Sequence, residues 1–288
     1  MEETKYGLPL ECYECRINKY INKIDLPPEE LTKYQAEQYE RLAKAPKDIS
    51  AETFVNLLKE KYEEIYEPID YTEIKKHYNS LLLKDFSAYE QIVHSTNDPL
   101  RSAIDLALSG NYIDFIALDN VDEDTLRELL KNRKHLIDEK VYFEFKQELE
   151  NAKTLLYLTD NCGEIVLDKL LIKVLKETYP FLKITAMVRG AEVANDASMI
   201  DAHEISLDEV CEVIDNGISS AGTYLNKMPN DKRKIVESAD IIISKGQGNA
   251  ESLLGTGLNI YYLFLCKCER FARLFNSKLM NGVLHKER

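Results

Sequence analysis

Thr154-Leu155-Leu156-Tyr157-Leu158-Thr159, followed at once by Asp160-Asn161-Cys162-Gly163-Glu164, is the stretch on which the reading of this chain turns. The first part is short, continuous and apolar, the pattern of a strand buried on both faces of a parallel sheet. Beyond it, Val166, Leu167, Leu170, Leu171, Val174 and Leu175 recur at helical spacing from Ile165 to Tyr179. A carboxylate, an amide and a second carboxylate therefore crowd the carboxyl end of a strand, where open α/β sheets bind their ligands. Hard oxygen donors in such a crevice suit a divalent metal.

Towards the C-terminus the same alternation recurs. Leu182–Arg189, the weaker Cys211–Asp215, Ala239–Ser244 and Leu258–Leu265 read as further strands with helical stretches between them. This predicts an α/β fold, a three-layer, mostly parallel Rossmann-like sheet with right-handed crossovers. Residues up to about Asn151 instead read as helical and strongly charged, with Leu31–Lys44 and Ala51–Tyr66 as amphipathic helices. Asp98-Pro99 has the form of an N-cap with proline in the first helical position, and Gly110 that of a C-terminal stop. The division expected is a helical N-terminal subdomain over 1–150 and an α/β subdomain over 151–288, working as one functional unit.

Three predicted strands end in polar clusters: Asp160-Asn161, then Arg189-Gly190 with Asn195-Asp196, then Lys245-Gly246-Gln247-Gly248-Asn249 with Glu251. Parallel strands would bring all three to one sheet edge. Asp160, Asn161 and Asp196 offer oxygen ligands for a metal, leaving positions for water and substrate. Lys245 offers a positive charge for phosphate, with glycines that let backbone N–H groups approach an anion. Arg189 adds a candidate bidentate phosphate contact, and Glu164 a candidate general base. Each piece also has a bland reading. Asp-Asn suits a turn, Asp196 suits the N-cap of a helix over Ala197–Ala202, and Arg189 suits a surface pair with Glu192.

Composition narrows the classes. The chain has 288 residues, a formal charge of −13, no Trp and 17 Tyr. That charge disfavours a nucleic-acid binder relying on general phosphate attraction, but admits a small anionic substrate at a cationic cleft. The polar start, Met1-Glu2-Glu3-Thr4-Lys5, lacks the apolar run of a signal peptide, and Ile260–Cys266 is too short to span a bilayer, so a cytoplasmic protein with no membrane partner is expected. Cys12, Cys15, Cys162, Cys211, Cys266 and Cys268 then read as thiols or metal ligands. Cys12-Tyr13-Glu14-Cys15 is a single CxxC, open to redox, zinc or inert readings. His77, His94, His135, His203 and His285 lack zinc-type spacing. The chain has no complete dinucleotide fingerprint, no Walker-A run and no Gly-x-Ser-x-Gly elbow.

These segments, taken in order, resemble the DUF89 damage-control phosphatases (the ARMT1-like metal-binding family), and most closely its prokaryotic branch with an N-terminal CxxC. The resemblance rests on Cys12–Cys15, Asp98-Pro99-Leu100 through Gly110-Asn111 and Asp114, Asp160-Asn161 through Glu164, Asn195-Asp196, and Lys245-Gly246 through Asn249 and Glu251. It implies a metal-dependent phosphomonoesterase holding Mn²⁺, Ni²⁺, Co²⁺ or Mg²⁺ on Asp160, Asn161 and Asp196. It also implies phosphate binding by Lys245 and Asn249, with Asn111 and Asp114 reaching into the crevice. The substrates implied are small phosphorylated metabolites, among them sugar phosphates, phosphopantetheine derivatives and damaged nucleotides. The stretch Ala191-Glu192-Val193 departs from the proline-rich approach of relatives. Competing readings are an S-adenosylmethionine-dependent methyltransferase in the same crevice and a CxxC-based binding or redox module. No obligatory protein partner is evident.

Overall fold

A computed structural model describes residues 9–44, 51–118 and 120–287. Two compact units divide between Ile69 and Asp70. The compositional shift near Asn151 is thus not where the contacts divide. The first unit holds helices α1 (Leu10–Ile21), α2 (Pro28–Lys44) and α3 (Ala51–Glu63) around Ile17, Ile21, Ile24, Tyr34, Phe54 and Leu58. Cys12 and Cys15 lie on α1, Cys12 half-buried and Cys15 exposed.

The second unit opens with α4 (Thr72–Lys84), α5 (Phe86–His94), α6 (Pro99–Gly110), α7 (Glu123–Asn132) and α8 (Glu139–Leu149). Next come β1 (Thr154–Leu158), α9 (Glu164–Thr178), β2 (Lys183–Val188), α10 (Met199–Glu204) and β3 (Glu212–Asp215). The chain continues through α11 (Asn230–Ser238), β4 (Ile241–Lys245), α12 (Gly246–Leu253), β5 (Ile260–Leu265), α13 (Glu269–Leu274) and β6 (Gly282–Lys286). The strand order is β3-β2-β1-β4-β5-β6. Every neighbouring pair is parallel except β5 with β6. That last antiparallel strand was not expected from the sequence.

Side chains alternate across the sheet because the strand period is two. Leu155, Tyr157, Ile241, Ile243, Tyr261, Leu263 and Leu265 join one core with α6 and α9. Leu156, Leu158, Ile242, Ile260, Tyr262 and Phe264 join the other, with Val236 of α11, Ala250 and Leu253 of α12, and Phe271 of α13. Two cores on opposite faces make the three layers. Helix α9 lies under α6, so apolar residues surround it and it is buried from Glu164 to Leu175 apart from Lys169 and Lys173.

Helix α6 starts as expected: Asp98 accepts the Arg101 backbone N–H at 3.1 Å and Pro99 occupies the first turn. Its C-terminal end needs a different explanation. Asn111, not a left-handed glycine, caps the helix at φ −64°. Gly110 is required by packing instead, since a Cβ there would lie 2.8 Å from Leu167 Cδ1 of α9.

Strand order reverses direction between β1 and β4, the switch point at which the loops beyond the strands diverge. The clusters after β1, β2 and β4 therefore do share one edge.

Candidate active site

The turn after β1 is built by Gly163, whose φ of +66° lets the chain enter α9. Asn161 pairs with Asp196 as an isolated antiparallel bridge. Ala197 N–H donates to the Asp160 carbonyl at 2.7 Å, and Cys162 N–H to the Asn195 carbonyl at 2.8 Å. These backbone bonds fix the β1 turn against the β2 loop. Asp196 is also free of the capping role that the sequence left open. Ser198 caps α10, in a reciprocal capping box with Asp201.

Arg189 spans the two carboxylates. Its Nε donates to Asp196 Oδ2 at 2.5 Å, one terminal nitrogen to Asp160 Oδ1 at 3.2 Å and the other to Asn249 Oδ1 at 2.8 Å. The surface pair with Glu192 is not formed, because Glu192 meets Lys75 instead. Asn249 is fully engaged: its amide donates to the Thr159 and Lys245 carbonyls, and its oxygen also accepts from Thr223 Oγ1.

Lys245 and Glu164 sit deeper than a phosphate contact or a general base requires. Both are 0 % exposed. Lys245 Nζ donates to Glu164 Oε1 at 2.6 Å, Asp168 Oδ1 at 2.7 Å and the Ala107 carbonyl at 3.1 Å, which uses all the donors of an ammonium group. The second Glu164 oxygen accepts from Asn111 Nδ2 at 2.8 Å and from Asn161 Nδ2 at 3.1 Å. The expectation that Lys245 points at phosphate is therefore corrected: the strand end aims it inward, between carboxylates of α9. Gly246, φ +76°, does not open an anion nest either. A Cβ there would lie 1.9 Å from Asp160 Oδ2, so the missing side chain makes room for that carboxylate.

Asn111 joins the end of α6 to the site, donating to Asp160 Oδ2 at 3.2 Å and accepting from Leu265 N–H at 2.9 Å. Asp114 accepts the Ile116 and Ala117 amides on one oxygen and Lys267 Nζ on the other, at 2.7 Å. Lys267, just beyond β5, was missed in the sequence. Extending the strand-end argument to the fifth parallel strand would have found it.

Electrostatics set the character of the site. Asp160, Asp196, Glu164, Asp168 and Asp114 face Arg189, Lys245 and Lys267, so five carboxyl groups meet three cations, a formal excess of two negative charges that raised carboxyl pKa values relieve. Burial, then the charges of Asp196 and Glu164, push the Asp160 carboxyl well above its usual range. Asp196 is raised by burial too, with Arg189 opposing. Asp168 is pushed up to about 7 by burial despite Lys245. Burial works against the charge on Arg189, but Asp196 and Asp160 outweigh it and keep the guanidinium ionised.

A divalent cation fits this set. Its charge would match that formal excess, and Asp160, Asn161 and Asp196 supply hard oxygens. Among the described residues no three His, Cys, Asp or Glu side chains are grouped as metal ligands. Asn161 Oδ1 accepts from Asn195 Nδ2 at 2.9 Å while its Nδ2 donates to Asp160 Oδ2 at 2.8 Å, so it has only the remaining lone pair of that oxygen to offer a cation. Asp160 and Asp196 keep 6 % and 5 % exposure, against none for Glu164 and Lys245, so what access the site has is on the side of the two aspartates.

A mostly parallel α/β sheet with an acidic, oxygen-rich edge at its switch point defines the class of fold. The chain belongs to the damage-control phosphatase ARMT1-like domain family, whose model matches residues 9–282. It is 32 % identical over 251 residues to a damage-control phosphatase of Archaeoglobus fulgidus, covering 85 % of this chain and 83 % of the relative. It is 33 % identical over 187 residues to one of Pyrococcus horikoshii, covering 63 % and 62 %. A crystal structure of a DUF89 family protein from Pyrococcus horikoshii has the same fold, with a TM-score of 0.76 at 24 % identity over 98 % of this chain and 99 % of that one. The chain is a phosphatase of the damage-control class.

Proposed function

We propose that the protein hydrolyses phosphomonoesters of small metabolites with the help of one divalent cation held by Asp160, Asn161 and Asp196. The observation that carries this reading is the meeting of Asp160 and Asp196 across Arg189 at the switch point, with a formal excess of two buried negative charges. When bound, the cation would neutralise a phosphoryl oxygen and orient the ester for attack. The protein's own groups do the rest. Arg189, buried between Asp160 and Asp196, and Lys267, buried against Asp114, are the cations proposed to turn to phosphate oxygens when substrate binds. Asn249 sets the Arg189 guanidinium through its Oδ1.

Lys245 acts by position. It holds Glu164 and Asp168 in place, and Glu164 in turn orients Asn111 and Asn161. Both Asp160 oxygens already accept hydrogen bonds from Arg189, Asn111 and Asn161, which favours water as the nucleophile over Asp160 itself. Water attack breaks the bond from phosphorus to the ester oxygen, and the released alkoxide takes a proton to leave as the alcohol. Sugar phosphates, phosphopantetheine derivatives and damaged nucleotides are the substrate classes proposed. Cys15, Cys162, Cys211, Cys266 and Cys268 carry free thiols, which fits a reducing cytoplasm.

The test is direct. Metal-stripped protein is incubated with a panel of such phosphomonoesters, with Mn²⁺, Ni²⁺, Co²⁺ or Mg²⁺ added back, and inorganic phosphate is measured. Release that requires a metal supports the reading. Release unaffected by chelator, or none with any metal, overturns it.

A further inference from the structure

Helix α4 carries a polar face that the site chemistry leaves unexplained. Lys75 and Asn79 lie one turn apart on it, 4 % and 0 % exposed. Asn79 Oδ1 accepts the Gly163 N–H at 2.6 Å, in the turn that carries Asp160 and Asn161. Its Nδ2 donates to Asp201 Oδ1 at 2.9 Å and to Glu204 Oε2 at 2.7 Å, both on α10. The helix also touches the turn directly, since a Cβ on Gly163 would lie 2.9 Å from Tyr78 Cβ.

Lys75 grips the second segment. Its Nζ lies 2.7 Å from Asp201 Oδ2 and 2.5 Å from Glu192 Oε2. Glu192 and Asp201 bracket the loop that presents Asp196. Within that loop, Asp201 Oδ2 accepts the Ser198 backbone N–H at 2.8 Å and its hydroxyl at 3.0 Å. Two adjacent side chains of one helix thus pin both segments that bear the proposed metal ligands. Neither side chain touches Asp160, Asn161 or Asp196 in a hydrogen bond or ion pair among those described.

We propose that Lys75 and Asn79 are positioning residues that fix the separation of the Asp160–Asn161 turn from the Asp196 loop, and so set the affinity of the site for its cation. This rests on the metal site proposed for Asp160, Asn161 and Asp196. The ligands come from two loops joined beyond the strand ends by the Asn161–Asp196 bridge and the bonds of Ala197 and Cys162, with no regular element of the sheet behind them. A third element that bonds to both removes the slack, as the groups behind metal ligands do elsewhere, where their loss costs roughly 10- to 100-fold in affinity.

The experiment measures Mn²⁺ binding by calorimetry on the metal-stripped full chain, with hydrogen exchange of the peptides spanning 159–165 and 190–201. In Asn79→Ala and Lys75→Met the dissociation constant for Mn²⁺ rises by on the order of tenfold or more. Exchange in both peptides quickens, while phosphate release at saturating Mn²⁺ stays within about threefold of wild type. Lys75→Arg restores most of the affinity. Glu192→Gln removes a half-exposed partner without threatening the fold, and weakens binding by about threefold, the scale of a solvent-facing ion pair. Variants that melt earlier but bind Mn²⁺ as wild type does overturn the inference and leave the metal reading standing. Wild-type protein that binds none of Mn²⁺, Ni²⁺, Co²⁺ and Mg²⁺ removes both, and if only one of the other three binds, the same comparison is made with that ion.

Discussion

Lys245 Nζ lies 2.6 Å from Glu164 Oε1, and neither side chain reaches solvent. The most conspicuous cation at a strand end is therefore an internal strut that ties β4 to α9.

Removing it should be a stability event before it is a binding event. Lys245→Met leaves Glu164 and Asp168 buried without their counter-charge, a loss of about 3–5 kcal/mol for a broken buried pair. At about 2–4 °C per kcal/mol for a domain of this size, the melting temperature should fall by roughly 10 °C, read by calorimetry. A lysine serving only phosphate would raise KM and leave the melting point alone.

Asp160→Asn and Asp196→Asn should behave in the opposite way. Each relieves the crowding of carboxyl groups that raises both pKa values, and leaves Arg189 one of its two aspartates, so the melting temperature holds or rises. Metal-dependent phosphate release should fall by on the order of a hundredfold or more, as for loss of a group that acts on the transition state. Stability gained where activity is lost is the usual trade at such sites. Unchanged turnover in both would remove them from the chemistry.

Gly246→Ala tests the room made for Asp160. The added methyl meets the carboxylate, and the φ of +76° disfavours any side chain. Turnover should drop at least about tenfold, with a loss of about 1 kcal/mol or more in urea unfolding. Equal kinetics in the two proteins would mean that Asp160 has freedom to move.

Lys267→Gln tests the remaining cation of the site, whose side chain is buried against Asp114. Its loss is expected to raise KM for a phosphomonoester by about tenfold, the scale of one charge-assisted bond, and to weaken inhibition by inorganic phosphate to match. A change confined to kcat would place Lys267 elsewhere in the reaction.

The acid response should trace to a pair outside the site. Gly282 N–H donates to His135 Nδ1 and Nε2 meets Ser109 Oγ, so the buried ring is held neutral; burial, with Arg101 nearby, brings its pKa down to about 4. Between about pH 6.5 and 4 the unfolded chain binds a proton there that the folded chain refuses, so stability is lost as pH falls, by up to roughly 3 kcal/mol at about 1.4 kcal/mol per unit. Burial raises Asp105 to about 6, which works in the other sense: the folded state takes up its proton first, and stability is gained as pH falls from 6. The two nearly offset in the wild type, so Asp105→Asn should expose a loss of stability between about pH 6 and 4 and His135→Gln a gain, as read from urea midpoints at about pH 7 and 4.5.

The order of strands and helices in the second half was legible because it is a local property. Apolar runs such as Leu155–Leu158 and Ile241–Ile243 carry their own period, and the polar breaks after them mark the sheet edge. Strand β6 escaped notice because Gly282–Lys286 offers few apolar residues and pairs only on an antiparallel edge. The charged helices up to Leu149 gave no hint that Asn79 would reach the β1 turn.

By itself the sequence determined that Asp160, Asn161, Arg189, Asp196, Lys245 and Asn249 would gather at one edge, because parallel strands all deliver their C-terminal ends to the same side of the sheet. The tertiary structure alone decided which of these groups face the crevice and which are consumed within the protein. Lys245 finds Asp168 and Glu164 across 77 and 81 residues of chain, and Asn79 finds Gly163 across 84. No spacing rule reaches so far. A buried charge takes whichever partner the packing of the layers brings within hydrogen-bond distance.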